Sequence, residues 1–203
     1  MSDEDARNQA HTDAMKALKA ERDELMRTKT EKRSLLMVHT GDGKGKSTAA
    51  FGLIARALGW GYHVGIVQFI KGKWQTGERK FFARFPDQVR YAVMGEGFTW
   101  ETQDRARDIA AAAKAWAVSR EMLANPTLHL VVLDELNIAL RYEYLALTDV
   151  ISALKDRPRD KHVCITGRNA APELLEIADL VTEMKLVKHP FEAGVKAQRG
   201  VDF

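Results

Sequence analysis

The stretch Gly41-Asp42-Gly43-Lys44-Gly45-Lys46-Ser47-Thr48 constrains this chain more than any other. It follows the apolar run Leu35-Leu36-Met37-Val38 and opens a helical pattern from Lys46 to Leu58, so it joins a strand to a helix. Glycines at 41, 43 and 45 let the backbone turn N–H groups inward as an anion cradle, and the helix adds its positive N-terminal end. Lys46 can reach phosphate oxygens as a point charge, while the Ser47 hydroxyl can ligate magnesium. The usual pattern is a glycine, four residues, then Gly-Lys-Ser/Thr; here Thr40 occupies the first glycine position, so the loop is a variant. These residues predict a nucleoside triphosphate site, with ATP as the expected nucleotide and residues 41 to 48 as its contacts.

From residue 34 onward, short apolar runs alternate with helical stretches. The runs are Leu35 to Val38, Val64 to Val67, Tyr91 to Met94, Leu128 to Leu133, Val163 to Ile165, and Leu180-Val181. Runs without polar alternation are those of strands buried on both faces of a parallel sheet. Between them, Lys46 to Leu58, Glu101 to Leu123, Asp149 to Leu154 and Pro172 to Ile177 read as helices. The pattern predicts an α/β chain with a three-layer phosphate-loop (RecA-like) fold and a mostly parallel six-stranded sheet. One domain spans residues 34–203. Residues 1–33 form a charged N-terminal arm whose sparse apolar series Ala14, Leu18, Leu25 suits a weak amphipathic helix.

The balance of 31 basic and 28 acidic residues gives a net charge of +3, so no broad cationic surface for nucleic acid is implied. Cys164 is the sole cysteine, which excludes an intramolecular disulfide and fits a reducing compartment. The N-terminus lacks the basic start and apolar run of a secretory signal, and no apolar stretch reaches the roughly 18 residues of a membrane span. A cytoplasmic protein without membrane partners is expected. The six histidines show no paired metal spacing.

Leu130-Val131-Val132-Leu133-Asp134-Glu135 is an apolar strand ending in two carboxylates, where phosphate-loop proteins place a magnesium-organising acid. Glu135 is the expected ligand, with Asp134 as a second candidate; either side chain could instead cap the following helix. In Met94-Gly95-Glu96-Gly97-Phe98-Thr99-Trp100, two aromatics spaced by two point to one side of an extended loop. They either wall a crevice for a flat ligand or tie the loop into the core.

Several segments together resemble one family: the phosphate loop, Val67 to Gly72, Gly95 to Gln103, Val131 to Leu136, Ile165-Thr166-Gly167-Arg168, Lys188-His189, and Ala193 to Gln198. The family is the ATP:corrinoid adenosyltransferases of cobalamin biosynthesis and salvage. The resemblance runs from about residue 34 to the C-terminus, and the Gly-Phe-Thr-Trp-Glu-Thr-Gln run is its most specific part. It implies that cob(I)alamin or a cob(I)yrinic acid derivative attacks the ribose C5′ of ATP, and that triphosphate leaves. It further implies that Phe98 and Trp100 pack against the lower corrin face and displace the axial ligand, which makes cob(II) reducible by a protein such as a flavodoxin. Magnesium, or manganese in its place, is the implied cofactor, and ATP and corrinoid are the substrates. A homodimer is implied as well, with the N-terminal helix covering the active site across it. Arg168 matches a position for phosphate or corrinoid contact; a surface ion pair is its alternative. Asp42 and Ser47 stand where Asn and Thr are familiar in relatives, and a carboxylate in an anion cradle is expected to point away from phosphate.

Two other classes share the loop, acid pair and sheet. A kinase or ATPase would split ATP between its outer phosphates and yield ADP, and a recombinase-like module would bind DNA in a salt-sensitive way. The product discriminates them, since adenosyl transfer releases triphosphate and consumes ATP only with a reduced corrinoid.

Overall fold

A computed structural model describes residues 2–70, 76–93 and 104–202. The chain forms two units, Met1–Arg33 and Ser34–Phe203. The first is a single helix, α1 (Asp3–Arg27), started by a reciprocal cap in which Ser2 Oγ accepts from Asp5 N–H and the Asp5 carboxylate accepts from Ser2 N–H. No α1 residue is buried, and Met15, Leu18, Leu25 and Met26 are all exposed.

Among the described residues, the second unit contains six strands: β1 (Leu36–Thr40), β2 (His63–Gln68), β3 (Val89–Val93), β4 (Leu128–Asp134), β5 (His162–Thr166) and β6 (Leu180–Glu183). All their pairings are parallel, in the order β3-β2-β4-β5-β1-β6. The helices are α2 (Lys46–Gly59), α3 (Gly77–Phe82), α4 (Arg105–Ala124), α5 (Leu136–Arg141), α6 (Leu147–Lys155) and α7 (Pro172–Ile177), followed by a 3₁₀ turn at Pro190–Ala193. This is the α/β architecture with a parallel six-stranded sheet that the alternation predicts.

Side chains divide between two faces with a period of two, as the pleat requires. Leu36, Val38, Val131, Leu133, Val163 and Ile165 point to one face, where Ala115 and Trp116 of α4, Leu136 of α5, Leu154 of α6 and Leu174 of α7 cover them. Met37, Val64, Ile66, Val132 and Cys164 point to the other, under Ala50, Phe51 and Ile54 of α2 and Phe82 of α3. Both faces are therefore dry, which is why the central strands read as unbroken apolar runs. Burying a side chain such as Ile54 or Leu133 fully contributes about 1.5–3 kcal/mol each.

β6 departs from that expectation. It is an edge strand of four residues, exposed throughout, with Leu180 and Val181 at 44% and 45% exposure. Among the described residues it pairs only with β1. Helices α3 and α5, six residues each, are not anticipated from the sequence. Helix α4 matches the predicted one in its described part; residues 101–103 lie outside the described residues.

Candidate active site at the strand ends

Parallel pairing brings the carboxyl ends of β1, β4, β5 and β6 to one edge, so residues distant in sequence share a crevice. The phosphate loop leaves β1 at Thr40, whose hydroxyl accepts from Ala170 N–H at 3.1 Å, tying the loop's first residue to the segment after β5. This gives Thr40 a structural task at the position where a glycine is usual. Gly45 precedes α2 with φ +106°, a left-handed conformation that costs a side chain dearly. Gly41 and Gly43 are required for a different reason than the cradle alone. A Cβ on Gly41 would lie 2.5 Å from Met184 O, and one on Gly43 would lie 2.5 Å from Lys185 O. Gly43 N–H is already committed to Met184 O at 2.7 Å, so it is not one of the inward-facing donors.

Lys46 is buried, and its ammonium donates to Gly41 O at 2.8 Å and Gly43 O at 2.6 Å. Burial lowers its proton affinity, and nearby Arg168 lowers it further, while Glu135 and Asp42 pull the other way. Ser47 is half-buried in the first turn of α2. Asp42, Lys44 and Thr48 are exposed; Thr48 faces a shallow cleft with Phe51, Gly77 and Phe82 on the α3 side. Lys44 is paired with Asp202 near the C-terminus.

The two acids after β4 have different surroundings. Asp134 is 3% exposed and bonded at both oxygens: Gln68 Nε2 donates to one at 2.8 Å and Thr166 Oγ1 to the other at 2.7 Å. Tyr91 OH in turn donates to Gln68 Oε1 at 2.8 Å, so the network crosses β3, β2, β4 and β5. Glu135 sits at φ 61° between β4 and α5 and makes no side-chain cap bond, which removes helix capping as the role of its carboxylate. Its N–H donates to Thr166 Oγ1 at 3.0 Å, but its Oε2 is buried without a hydrogen-bond partner. Burial first, and the Asp134 charge second, push its pKa up to about 7, against the pull of Lys46 and Arg168. A left-handed glutamate carrying an unbonded buried oxygen is unfavourable by itself, the kind of strain kept where a site uses it.

Arg168 follows Gly167, which has φ +129° and whose carbonyl accepts from the buried Asn137 Nδ2 at 2.9 Å. Arg168 is exposed and is in no ion pair among the described residues, yet its charge acts on both Lys46 and Glu135. The loop, Glu135 and Arg168 thus come together. Phe98 and Trp100 lie outside the described residues.

Sequence reasoning gave no individual task to Gln68, Tyr91, Asn137, Thr166 or Asp202. A signal for some of them is visible. β1, β2, β4 and β5 are apolar runs that end on Thr40, Gln68, Asp134 and Thr166, so the polar residue marks the ligand end of each strand.

A parallel sheet whose first strand feeds a Gly-rich loop and helix, with an acid at the end of a central strand beside it, defines a phosphate-loop nucleotide-binding protein. Comparison with known proteins narrows the class. The family model described as "ATP:corrinoid adenosyltransferase BtuR/CobO/CobP" matches residues 32–203. The corrinoid adenosyltransferase of Pseudomonas aeruginosa is 56% identical over 203 residues, covering 100% of both chains. One from Sinorhizobium sp is 51% identical over 195 residues, covering 95% of this chain and 91% of the relative. Corrinoid adenosyltransferase CobA of Salmonella typhimurium is 53% identical over 173 residues, covering 85% and 87%. This chain belongs to the ATP:corrinoid adenosyltransferase family.

Proposed function

We propose that this protein transfers the 5′-deoxyadenosyl group of ATP to the cobalt of a reduced corrinoid, cob(I)alamin or cob(I)yrinic acid a,c-diamide, and releases triphosphate. The observation that carries this reading is family membership across residues 32–203, with the phosphate loop and the strand-end acid at one crevice. Cob(I) is a strong enough nucleophile to need no general base. The chain's tasks are then to orient the ribose carbon toward cobalt and to neutralise charge gathering on the leaving triphosphate.

Lys46, the N–H groups at the start of α2 and Arg168 grip the triphosphate. Asp42 is exposed at the loop's surface, where a carboxylate can turn to solvent rather than to phosphate. Ser47 and Glu135 fit a magnesium ion: a hydroxyl in the first turn of α2 and a buried carboxylate oxygen with no other partner are hard oxygen donors. Manganese suits the same donors. Among the described residues no three His, Cys, Asp or Glu side chains cluster, so such an ion would complete its shell with phosphate or water oxygens. When bound, the metal supplies charge neutralisation at the triphosphate oxygens. Asp134, with both oxygens already bonded, holds the acid pair in place.

Phe98 and Trp100 supply the apolar wall against the corrin that displaces its axial ligand, and a flavodoxin-like reductant delivers the electron. The protein works as a cytoplasmic homodimer in which the arm of residues 1–33 reaches across to the partner subunit's site; the exposed apolar residues Met15, Leu18, Leu25 and Met26 on α1 support such a docking role. No helix among the described residues is long and apolar enough to cross a membrane.

The decisive experiment mixes the protein with ATP, magnesium and chemically reduced corrinoid, follows the corrinoid spectrum and identifies the phosphate product. Conversion to the adenosyl form with stoichiometric triphosphate is expected. ADP accumulating without a spectral change would overturn the reading.

A further inference from the structure

The loop carries a second lysine, and the far end of the chain engages it. Lys44 Nζ donates to Asp202 Oδ1 across 158 residues of sequence. Asp202 is itself held for this contact. Its other oxygen accepts from Gln198 N–H at 2.9 Å, its own N–H donates to Gln198 O at 2.8 Å, and Gly200 at φ +79° turns the chain between them. The Asp202 side chain is only 14% exposed, against 50% for Lys44. Hydrogen bonding to Lys44 and to Gln198 N–H holds the Asp202 carboxyl below the usual range, so it meets the lysine as an anion. The same rim of the loop is packed by Met184 and Lys185, so residues that follow β6 border it on more than one side.

A carboxylate bonded to a lysine of an anion-binding loop stands where a phosphate oxygen would otherwise meet that lysine. Lysine is a compact charge on a flexible stem, free to swing between two acceptors, and a polyphosphate carrying several negative charges outcompetes one carboxylate for it. We propose that Asp202 is a positioning residue of the triphosphate site: it holds Lys44 as an internal counter-ion, and a bound triphosphate takes the lysine from it and releases the C-terminal turn Gln198–Asp202. The inference rests on the reading that the loop grips triphosphate. It adds a task for the turn, since return of Asp202 to Lys44 opposes retention of the leaving group.

The test uses the full chain with inorganic tripolyphosphate and magnesium chloride, without corrinoid, and joins calorimetry to hydrogen exchange. Tripolyphosphate is expected to bind and to speed exchange of the amides in Gln198–Asp202. Asp202→Asn is expected to tighten tripolyphosphate roughly two- to fivefold, the range set by a partly exposed ion pair, and the gain should shrink or vanish in a Lys44→Met background. A mere folding defect would move affinity the opposite way. Binding with unchanged or slowed exchange in the wild type, or an Asp202→Asn gain undiminished in Lys44→Met, would overturn the inference alone. Failure of tripolyphosphate to bind would overturn the loop's role and this inference with it.

Discussion

Thr166 Oγ1 donates to Asp134 Oδ1 at 2.7 Å, and this bond separates the tasks of two adjacent acids. Each Asp134 oxygen accepts a hydrogen bond, from Thr166 or Gln68, whereas the Glu135 carboxylate keeps a buried oxygen unbonded. The same hydroxyl accepts from Glu135 N–H, so β5 fixes the backbone of the acid whose side chain is left available.

Substitution should therefore split the pair. Glu135→Gln is expected to lower the adenosyl transfer rate by about 10²–10³ with little loss of stability, as expected for removing one charge-stabilising group from a site. Asp134→Asn replaces an acceptor with a donor facing Thr166 or Gln68 and should cost about 1–3 kcal/mol of unfolding free energy. Transfer rates and denaturant titrations of both variants check this. The reverse pattern would assign the metal to Asp134.

Metal uptake should release a proton near neutral pH. With its pKa at about 7, Glu135 is largely protonated at mildly acidic pH and must ionise to ligate a cation. Calorimetry of magnesium-ATP binding at pH 6.5, in two buffers of different ionisation enthalpy, is expected to show net proton release. At pH 9 the carboxylate is already charged and that contribution should vanish, as it should at both pH values in Glu135→Gln.

Gly43→Ala tests why the loop is rich in glycine. The new Cβ would stand 2.5 Å from Lys185 O, a backbone atom that cannot swing aside. A loss of about 1–3 kcal/mol in stability is expected, with weakened ATP binding. Unchanged unfolding midpoints would mean the segment after β6 moves freely from the loop.

Trp100→Ala is expected to impair the reaction chiefly when it starts from cob(II), while prereduced cob(I) still reacts. An axial donor raises the energy of the cobalt orbital that accepts the electron, and an apolar wall in its place makes reduction easier. Parallel assays from the two oxidation states decide it. Equal losses in both would remove the assigned role.

Much of the fold was legible because its causes are local. Leu36 to Val38 and Val131 to Leu133 are apolar on both faces of the pleat, and the glycines with Lys46 and Ser47 carry their phosphate chemistry in one continuous stretch. β6 misled because an apolar pair looks the same in sequence whether it is covered or, as here among the described residues, exposed.

Sequence by itself determined the parallel α/β class and the loop, through periodicity and residue chemistry that need no distant partner. Tertiary structure alone decided which acid is bonded and which is left free. Gln68, Asp134 and Thr166 come from three strands that only the order β2-β4-β5 makes neighbours. It also decided that Gly43 answers to Lys185, and that Lys44 answers to Asp202, a carboxylate whose proximity no spacing rule connects to the loop.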